Sequence, residues 1–69
     1  MKIVVNGESR ELEAGATVAS VVHALDVAAG ARGIAVALDG EVVRRGDWPA
    51  ATLREGSRVE ILAAIGGGR

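Results

Sequence analysis

Two dipeptides, Asn6-Gly7 and Asp39-Gly40, constrain most strongly how this chain can fold. Each lies between short runs rich in β-branched residues, and each favours the positive φ angles of a two-residue hairpin turn. Strands joined by so short a turn must be antiparallel. The sequence therefore predicts two hairpins, whose strands are expected at Lys2–Val5 and Arg10–Glu13, and at Ile34–Leu38 and Glu41–Val43.

One amphipathic helix is predicted between the hairpins. Thr17 is placed to cap its first turn, because a threonine hydroxyl can accept a hydrogen bond from an otherwise unpaired amide. An apolar stripe with helical spacing follows, made of Val18, Val21, Val22 and Leu25. The helix is expected to fade near Val27 and to be over by Gly30.

A last strand is predicted at Arg58–Ile61, where apolar and charged residues alternate. Val59, Ile61 and Ala63 are expected to face inward, which leaves Leu62 on the outer face. Residues 44–52 are expected to be irregular, with Trp48 covering one end of the core and Leu53 returning to it. Because the first hairpin and the last strand must share an interior with the helix, the last strand should be central. The fold class is α+β, a small mixed sheet packed on one helix in the order β-β-α-β-β-β.

The composition of the 69 residues excludes several classes of function. A formal net charge of −1 provides no basic stripe for nucleic acid. With no cysteine and one histidine, the chain offers no disulfide and no metal site. No apolar run approaches the ~20 residues that a membrane helix requires. A soluble, cytoplasmic protein is expected, since the absence of cysteine fits a reducing compartment.

No catalytic site is predicted. His23 is the single possible general base, and it lies on the polar side of the predicted helix with no evident partner. We therefore interpret it as a solvated surface residue, and we expect no catalytic residue and no bound cofactor.

The C-terminal run Gly66-Gly67-Gly68-Arg69 cannot help to build a core, because glycine has no side chain to pack. It is either a fraying end or a strip that threads into a narrow channel, where any Cβ would obstruct passage. The predicted organisation is a folded domain at residues 1–65 and a flexible tail at 66–69. A fixed body that presents a carboxyl end suits a protein that is itself a substrate.

An ordered set of short motifs resembles the ThiS sulfur carriers of thiamine biosynthesis. Nearly the whole chain contributes: the motifs are residues 2–8, 15–18, 35–43, Trp48, residues 59–61 and the closing Gly67-Gly68. The resemblance implies the ubiquitin-like β-grasp fold, in agreement with the strand order predicted above. It also implies that the chain is not an enzyme but a protein co-substrate of partner enzymes.

The resemblance further implies a set of partners. A ThiF-like enzyme would use ATP to adenylate the carboxylate of Gly68, and sulfur from a persulfide would replace AMP to leave a thiocarboxylate. A thiazole synthase (ThiG-like) would take that sulfur, while Gly66 and Gly67 would let the tail thread. Leu62, Ala35 and Ala37 are the candidate docking residues, since apolar groups away from the core often mark partner sites.

Two residues depart from the family pattern. Gly66 stands where many relatives have a polar residue. Arg69 follows Gly68, so Gly68 has no free carboxylate in the sequence given. Either a peptidase removes Arg69, or cloning added it, or the chemistry is lost. Removal of Arg69 by a peptidase, or its addition by cloning, is favoured over loss of the chemistry, because carriers with a residue beyond the diglycine occur among relatives.

Three alternatives remain open at this point. The chain could carry sulfur for molybdopterin, cysteine or natural-product synthesis, although its short length and the Asn6-Gly7 opening favour thiamine. It could instead be a ubiquitin-like protein modifier, in which Gly68 forms an isopeptide bond to a lysine. It could also be a β-grasp interaction module whose tail has no function.

Overall fold

The computed structural model of the protein describes residues 1–25 and 33–64, with side chains described through residue 62. The predicted boundary after residue 65 and the predicted tail at 66–69 lie outside these residues. The elements within them, in chain order, are β1 (Lys2–Val5), β2 (Glu8–Glu11), α1 (Val18–Ala24), β3 (Gly33–Leu38), β4 (Glu41–Val43), a 3₁₀ helix (Arg45–Ala50) and β5 (Arg58–Ala64).

The strands form one mixed sheet in the order β2-β1-β5-β3-β4, so β5 is central as the sequence predicts. Its pairing with β3 is antiparallel and runs from Gly33 opposite Ala64 to Leu38 opposite Val59. Its pairing with β1 is parallel, and Val5 lies opposite Val59. The predicted α+β class and element order are confirmed, and the arrangement is a ubiquitin-like β-grasp.

Both predicted hairpin turns form. Asn6 and Asp39 have φ angles of 49° and 50°, and the glycines that follow them have φ angles of 84° and 89°. Such a turn places the very next residue in the ladder, so Glu8 pairs with Val5 and β2 begins at Glu8. The prediction of a return strand at Arg10–Glu13 was therefore wrong, because it began too late and ran too far.

The helix begins where the sequence predicts. The Thr17 hydroxyl accepts from the Ser20 amide at 3.2 Å, and the Ser20 hydroxyl accepts from the Thr17 amide at 3.1 Å. The helix is described as far as Ala24, with Leu25 as its C-cap, whereas the predicted fading near Val27 and the predicted end by Gly30 fall outside the described residues.

Part of the segment predicted to be irregular is the 3₁₀ helix, which is a correction to the sequence-based expectation. The Asp47 amide donates to the Arg44 carbonyl at 2.8 Å. Pro49 has no amide hydrogen and so prevents a regular α-helix here. Trp48 is buried, and its Nε1–H donates to the Val43 carbonyl at 2.9 Å, which confirms that it closes one end of the core.

The core lies between α1 and the inner face of the sheet. Its buried apolar residues are Ile3, Val5, Val18, Val21, Val36, Trp48, Leu53, Val59 and Ile61. Val59, Ile61 and Leu53 therefore face inward as predicted. The inward orientation expected for Ala63 falls outside the described side chains and stays a prediction.

Candidate functional site

The outer face of the sheet, away from α1, carries an open apolar depression of about 390 Å³. Strand pairing creates it, because Ala35 lies opposite Leu62, and Ala37 lies opposite both Val42 and Glu60. These five side chains form what we call the apolar depression. Asn6 lies at its margin.

The structure brings all three predicted docking residues, Leu62, Ala35 and Ala37, into this depression. Leu62 is 74% exposed, although it is a large apolar residue in a central strand. Its neighbour in the chain, Ile61, is only 8% exposed, which is the alternation expected of a strand with one covered face. Their grouping agrees with a docking surface, and their role in docking stays a prediction.

Val42 also lines the depression, and it is 79% exposed. Val42 is not among the docking residues that the sequence predicts. A signal was present, because a two-residue turn at Asp39-Gly40 places Val42 opposite Ala37 on the same face. Glu60 supplies the one ionisable side chain among the lining residues, so a cationic group on a partner would be complementary to that wall.

Strand β5, which leads toward the C-terminal glycines, is held along both edges. On one edge it pairs with β3 as far as Ala64. On the other edge the Asn6 amide donates to the Val59 carbonyl at 2.9 Å. The Asn6 side chain then bonds the backbone of Ile61 twice, at 2.8 and 3.2 Å. The base of the predicted tail is therefore anchored on the sheet, while Gly66, Gly67 and Gly68 themselves lie outside the described residues.

Among the described residues, the histidine and the carboxylates do not indicate a catalytic site or a metal site. His23 is exposed in the last turn of α1, as expected for a solvated surface histidine. Within residues 1–25 and 33–64, no three His, Asp or Glu side chains are grouped so that they could hold a metal ion. Of the helices described, none is long and apolar enough to cross a membrane.

The fold, with a central strand leading to a glycine-rich end, defines the chain as a small ubiquitin-like β-grasp protein. Comparison with known proteins identifies the family within that class. The profile of the ThiS family matches residues 3–68, and the chain belongs to the ThiS family.

Solved structures agree with this assignment. The crystal structure of a thiamine biosynthesis protein (ThiS) from Geobacter metallireducens is 36% identical in sequence, with a TM-score of 0.80. The superposition covers 99% of this chain and 100% of that one. An NMR structure of a thiamine biosynthesis protein from the same organism is 35% identical, with a TM-score of 0.74, over 100% of this chain and 90% of that one.

Two curated relatives are longer proteins. The thiazole synthase of Paramagnetospirillum magneticum is 37% identical over 68 residues, which are 99% of this chain and 20% of that protein. The thiazole synthase of Magnetococcus marinus is 38% identical over 69 residues, which are 100% of this chain and 21% of that protein. The chain thus spans about a fifth of the length of these relatives.

Proposed function

We propose that this protein is a sulfur carrier for thiamine biosynthesis and that it bears the sulfur as a thiocarboxylate on Gly68. The observation that carries the proposal is the family match over residues 3–68, because it spans both the folded body and the Gly67-Gly68 pair. In this proposal the chain is a co-substrate, and the catalytic residues and the ATP belong to its partners.

The proposed chemistry begins on a ThiF-like partner. An oxygen of the Gly68 carboxylate attacks the α-phosphorus of ATP, and pyrophosphate leaves. The terminal sulfur of a persulfide then attacks the activated carbonyl carbon, and AMP leaves with the electrons of the broken C–O bond. A thiol cleaves the resulting acyl disulfide, so that the thiol is oxidised to a disulfide and the thiocarboxylate remains on Gly68.

The composition of the chain supports this division of labour. The sequence contains no cysteine, so the persulfide and the reducing thiol must both come from other molecules.

The tail residues suit the proposed reaction as well. Gly66 and Gly67 have no Cβ, which allows the tail to enter a narrow channel in the activating partner. The proposal requires a carboxylate on Gly68, so Arg69 must be absent from the active form. Because activation uses ATP, the proposed reaction belongs in the cytoplasm.

The acceptor that we propose for the sulfur is a thiazole synthase. Two proteins of that name contain a segment similar to this chain as about a fifth of their own length. In those proteins the similar segment is covalently joined to the rest of the synthase, which supports a working association between the two parts. We propose that the apolar depression, with Leu62, Ala35 and Ala37, is where partners dock.

Intact-mass spectrometry tests the proposal. A chain ending at Gly68 is incubated with ATP, a ThiF-like enzyme and a persulfide donor. We expect a mass gain equal to the exchange of one oxygen for one sulfur. The 69-residue chain serves as the matched control and should remain unchanged, because its Gly68 carbonyl is tied up in a peptide bond. If the shorter chain is also unchanged by an enzyme that activates another ThiS protein, the proposal is wrong.

A further inference from the structure

The two hairpin turns each hold the backbone of β5 with a side chain, but at different residues of the strand. At the first residue of β5, the Asp39 carboxylate accepts from the Arg58 amide at 2.9 Å. Further along, the Asn6 carboxamide makes two bonds to Ile61, accepting from its amide at 2.8 Å and donating to its carbonyl at 3.2 Å. Ile61 is the middle residue of β5 (Arg58–Ala64), so the Asn6 bonds lie closer to the C-terminal glycines than the Asp39 bond does.

The orientation of the Asn6 carboxamide is fixed by this pairing. A backbone amide can only donate, so Oδ1 must face the Ile61 amide and Nδ2 must face the Ile61 carbonyl. Strand β1 ends at Val5, one residue earlier. The carboxamide therefore bonds Ile61 in the way that a peptide group of a longer β1 would.

Beyond Ile61, β5 is paired differently along its two edges. On the β3 edge the ladder continues to Ala64, opposite Gly33. On the β1 edge the described ladder ends at Val59, and the Asn6 side chain provides the last attachment among the described residues. The position of the end of β5 therefore depends on one side chain on that edge.

We propose that Asn6 is a positioning residue for the activation of Gly68. Its carboxamide holds the middle of β5, from which the strand continues toward the C-terminal glycines, in place beside the apolar depression, at whose margin Asn6 lies. A partner that docks on the depression would then find β5 in a fixed position. The Gly68 carboxylate would therefore be aligned with the α-phosphorus of ATP for a larger fraction of the time. This inference rests on the proposed carrier function.

The backbone conformation of the turns does not by itself require the side-chain bonds of Asn6 and Asp39. Asn6 and Asp39 have nearly equal positive φ angles and each precedes a glycine, so the two turns have the same backbone requirement. Glycine meets that requirement without strain. Asn6→Gly and Asp39→Gly are therefore matched variants: each keeps its turn, and each removes a side-chain attachment from a different residue of β5.

Amide hydrogen exchange on the 69-residue chain tests the attachment directly. We expect Asn6→Gly to speed exchange at the Ile61 amide by at least about tenfold, since that amide loses its acceptor. Asp39→Gly should speed exchange at Arg58 and leave Ile61 unchanged. Unchanged exchange at Ile61 in Asn6→Gly would show that the side chain does not hold the strand, and the inference would fail.

Single-turnover adenylation tests the consequence. Chains ending at Gly68 are mixed with excess ThiF-like enzyme and ATP, and the limiting rate is separated from the half-saturating enzyme concentration. Asn6→Gly should lower the limiting rate by roughly tenfold and change half-saturation by no more than about twofold, because the five side chains that form the apolar depression are kept and the main loss is in the alignment of the reacting group. Asp39→Gly should behave like the parent. Partial unfolding would instead reduce the amplitude and spare the limiting rate.

A second variant tests the donor atom alone. Asn6→Asp keeps the volume and tolerates the positive φ angle, but it replaces the donor facing the Ile61 carbonyl with an oxygen that repels it. We expect its limiting rate to fall at least as far as that of Asn6→Gly. A limiting rate equal to that of the parent in both variants, a rise in half-saturation alone, or the unfolding of both would overturn the inference. If the parent itself is not adenylated, the proposed function fails, and the exchange experiment still decides whether Asn6 holds β5.

Discussion

The two faces of the β-sheet are built from similar residues and differ in what covers them. Val36 in β3 and Val42 in β4 belong to the same hairpin, yet Val36 is 1% exposed and Val42 is 79% exposed. The Val36 side chain belongs to the buried core, whereas the Val42 side chain is exposed on the outer face at the apolar depression. The role of each valine is therefore determined by the face of the sheet on which it lies and not by its residue type.

This difference separates folding from recognition. Burial of the inner face supplies the hydrophobic stabilisation of a small domain. The outer apolar residues are exposed and contribute little to it, and exposed apolar clusters are typical of protein-binding surfaces. We therefore expect changes on the inner face to alter stability and changes on the outer face to alter binding.

The largest effect is expected from the matched pair Val36→Ala and Val42→Ala. Val36→Ala should lower the free energy of unfolding by about 1.5 to 3 kcal/mol, because it removes two buried methyl groups and leaves a cavity. Val42→Ala should change it by no more than about 0.5 kcal/mol. Urea titration of both variants measures the difference. Equal losses of unfolding free energy in the two variants would contradict the difference between the two faces.

A charge on the outer face should affect binding selectively. Leu62→Asp is expected to weaken the association with a ThiF-like enzyme by at least about tenfold, or about 1.4 kcal/mol, since a carboxylate would have to be desolvated in an apolar contact. Its unfolding midpoint should remain near that of the parent. Calorimetric titration gives the affinity, and an unchanged affinity would exclude the apolar depression as the docking surface for that enzyme.

A smaller effect is expected where Trp48 closes the end of the inner face. Trp48→Phe removes the indole donor and leaves the Val43 carbonyl without that bond, which should cost about 1 kcal/mol of unfolding free energy. Binding through the apolar depression should be unaffected, because Trp48 is buried in the core. A loss of affinity without a loss of stability would mean that Trp48 contacts a partner.

Local sequence patterns were sufficient to predict most of the fold. The Asn-Gly and Asp-Gly turns, the capping threonine and the alternation around Val59 each depend on interactions between near neighbours in the chain. The same alternation placed Leu62, Ala35 and Ala37 on one face. The start of β2 was missed because no hydrophobic pattern marks it: Glu8, Ser9 and Arg10 are all exposed.

The remaining features depend on contacts between distant residues. The bonds from Asn6 to Ile61 join residues 55 positions apart, and a turn dipeptide gives no indication of them. The 3₁₀ helix around Trp48 is similarly stabilised by tertiary contacts, since its tryptophan packs into the core and bonds the end of β4. The position of Val42 is different, because it depends on a local turn. Extending the hairpin register from Asp39-Gly40 by one more pair would have predicted that Val42 lies opposite Ala37 on the outer face.

Transfer of labelled sulfur tests the central claim most directly, which is that the folded body presents a C-terminal glycine on which partners load and unload sulfur. A chain ending at Gly68 is loaded with radioactive sulfur, purified, and mixed with a thiazole synthase and its other substrates. We expect the label to leave the protein and to appear in the thiazole product, whereas the 69-residue chain should take up none. Label that loads onto Gly68 but stays there, with unlabelled thiazole formed at the normal rate, would contradict the central claim.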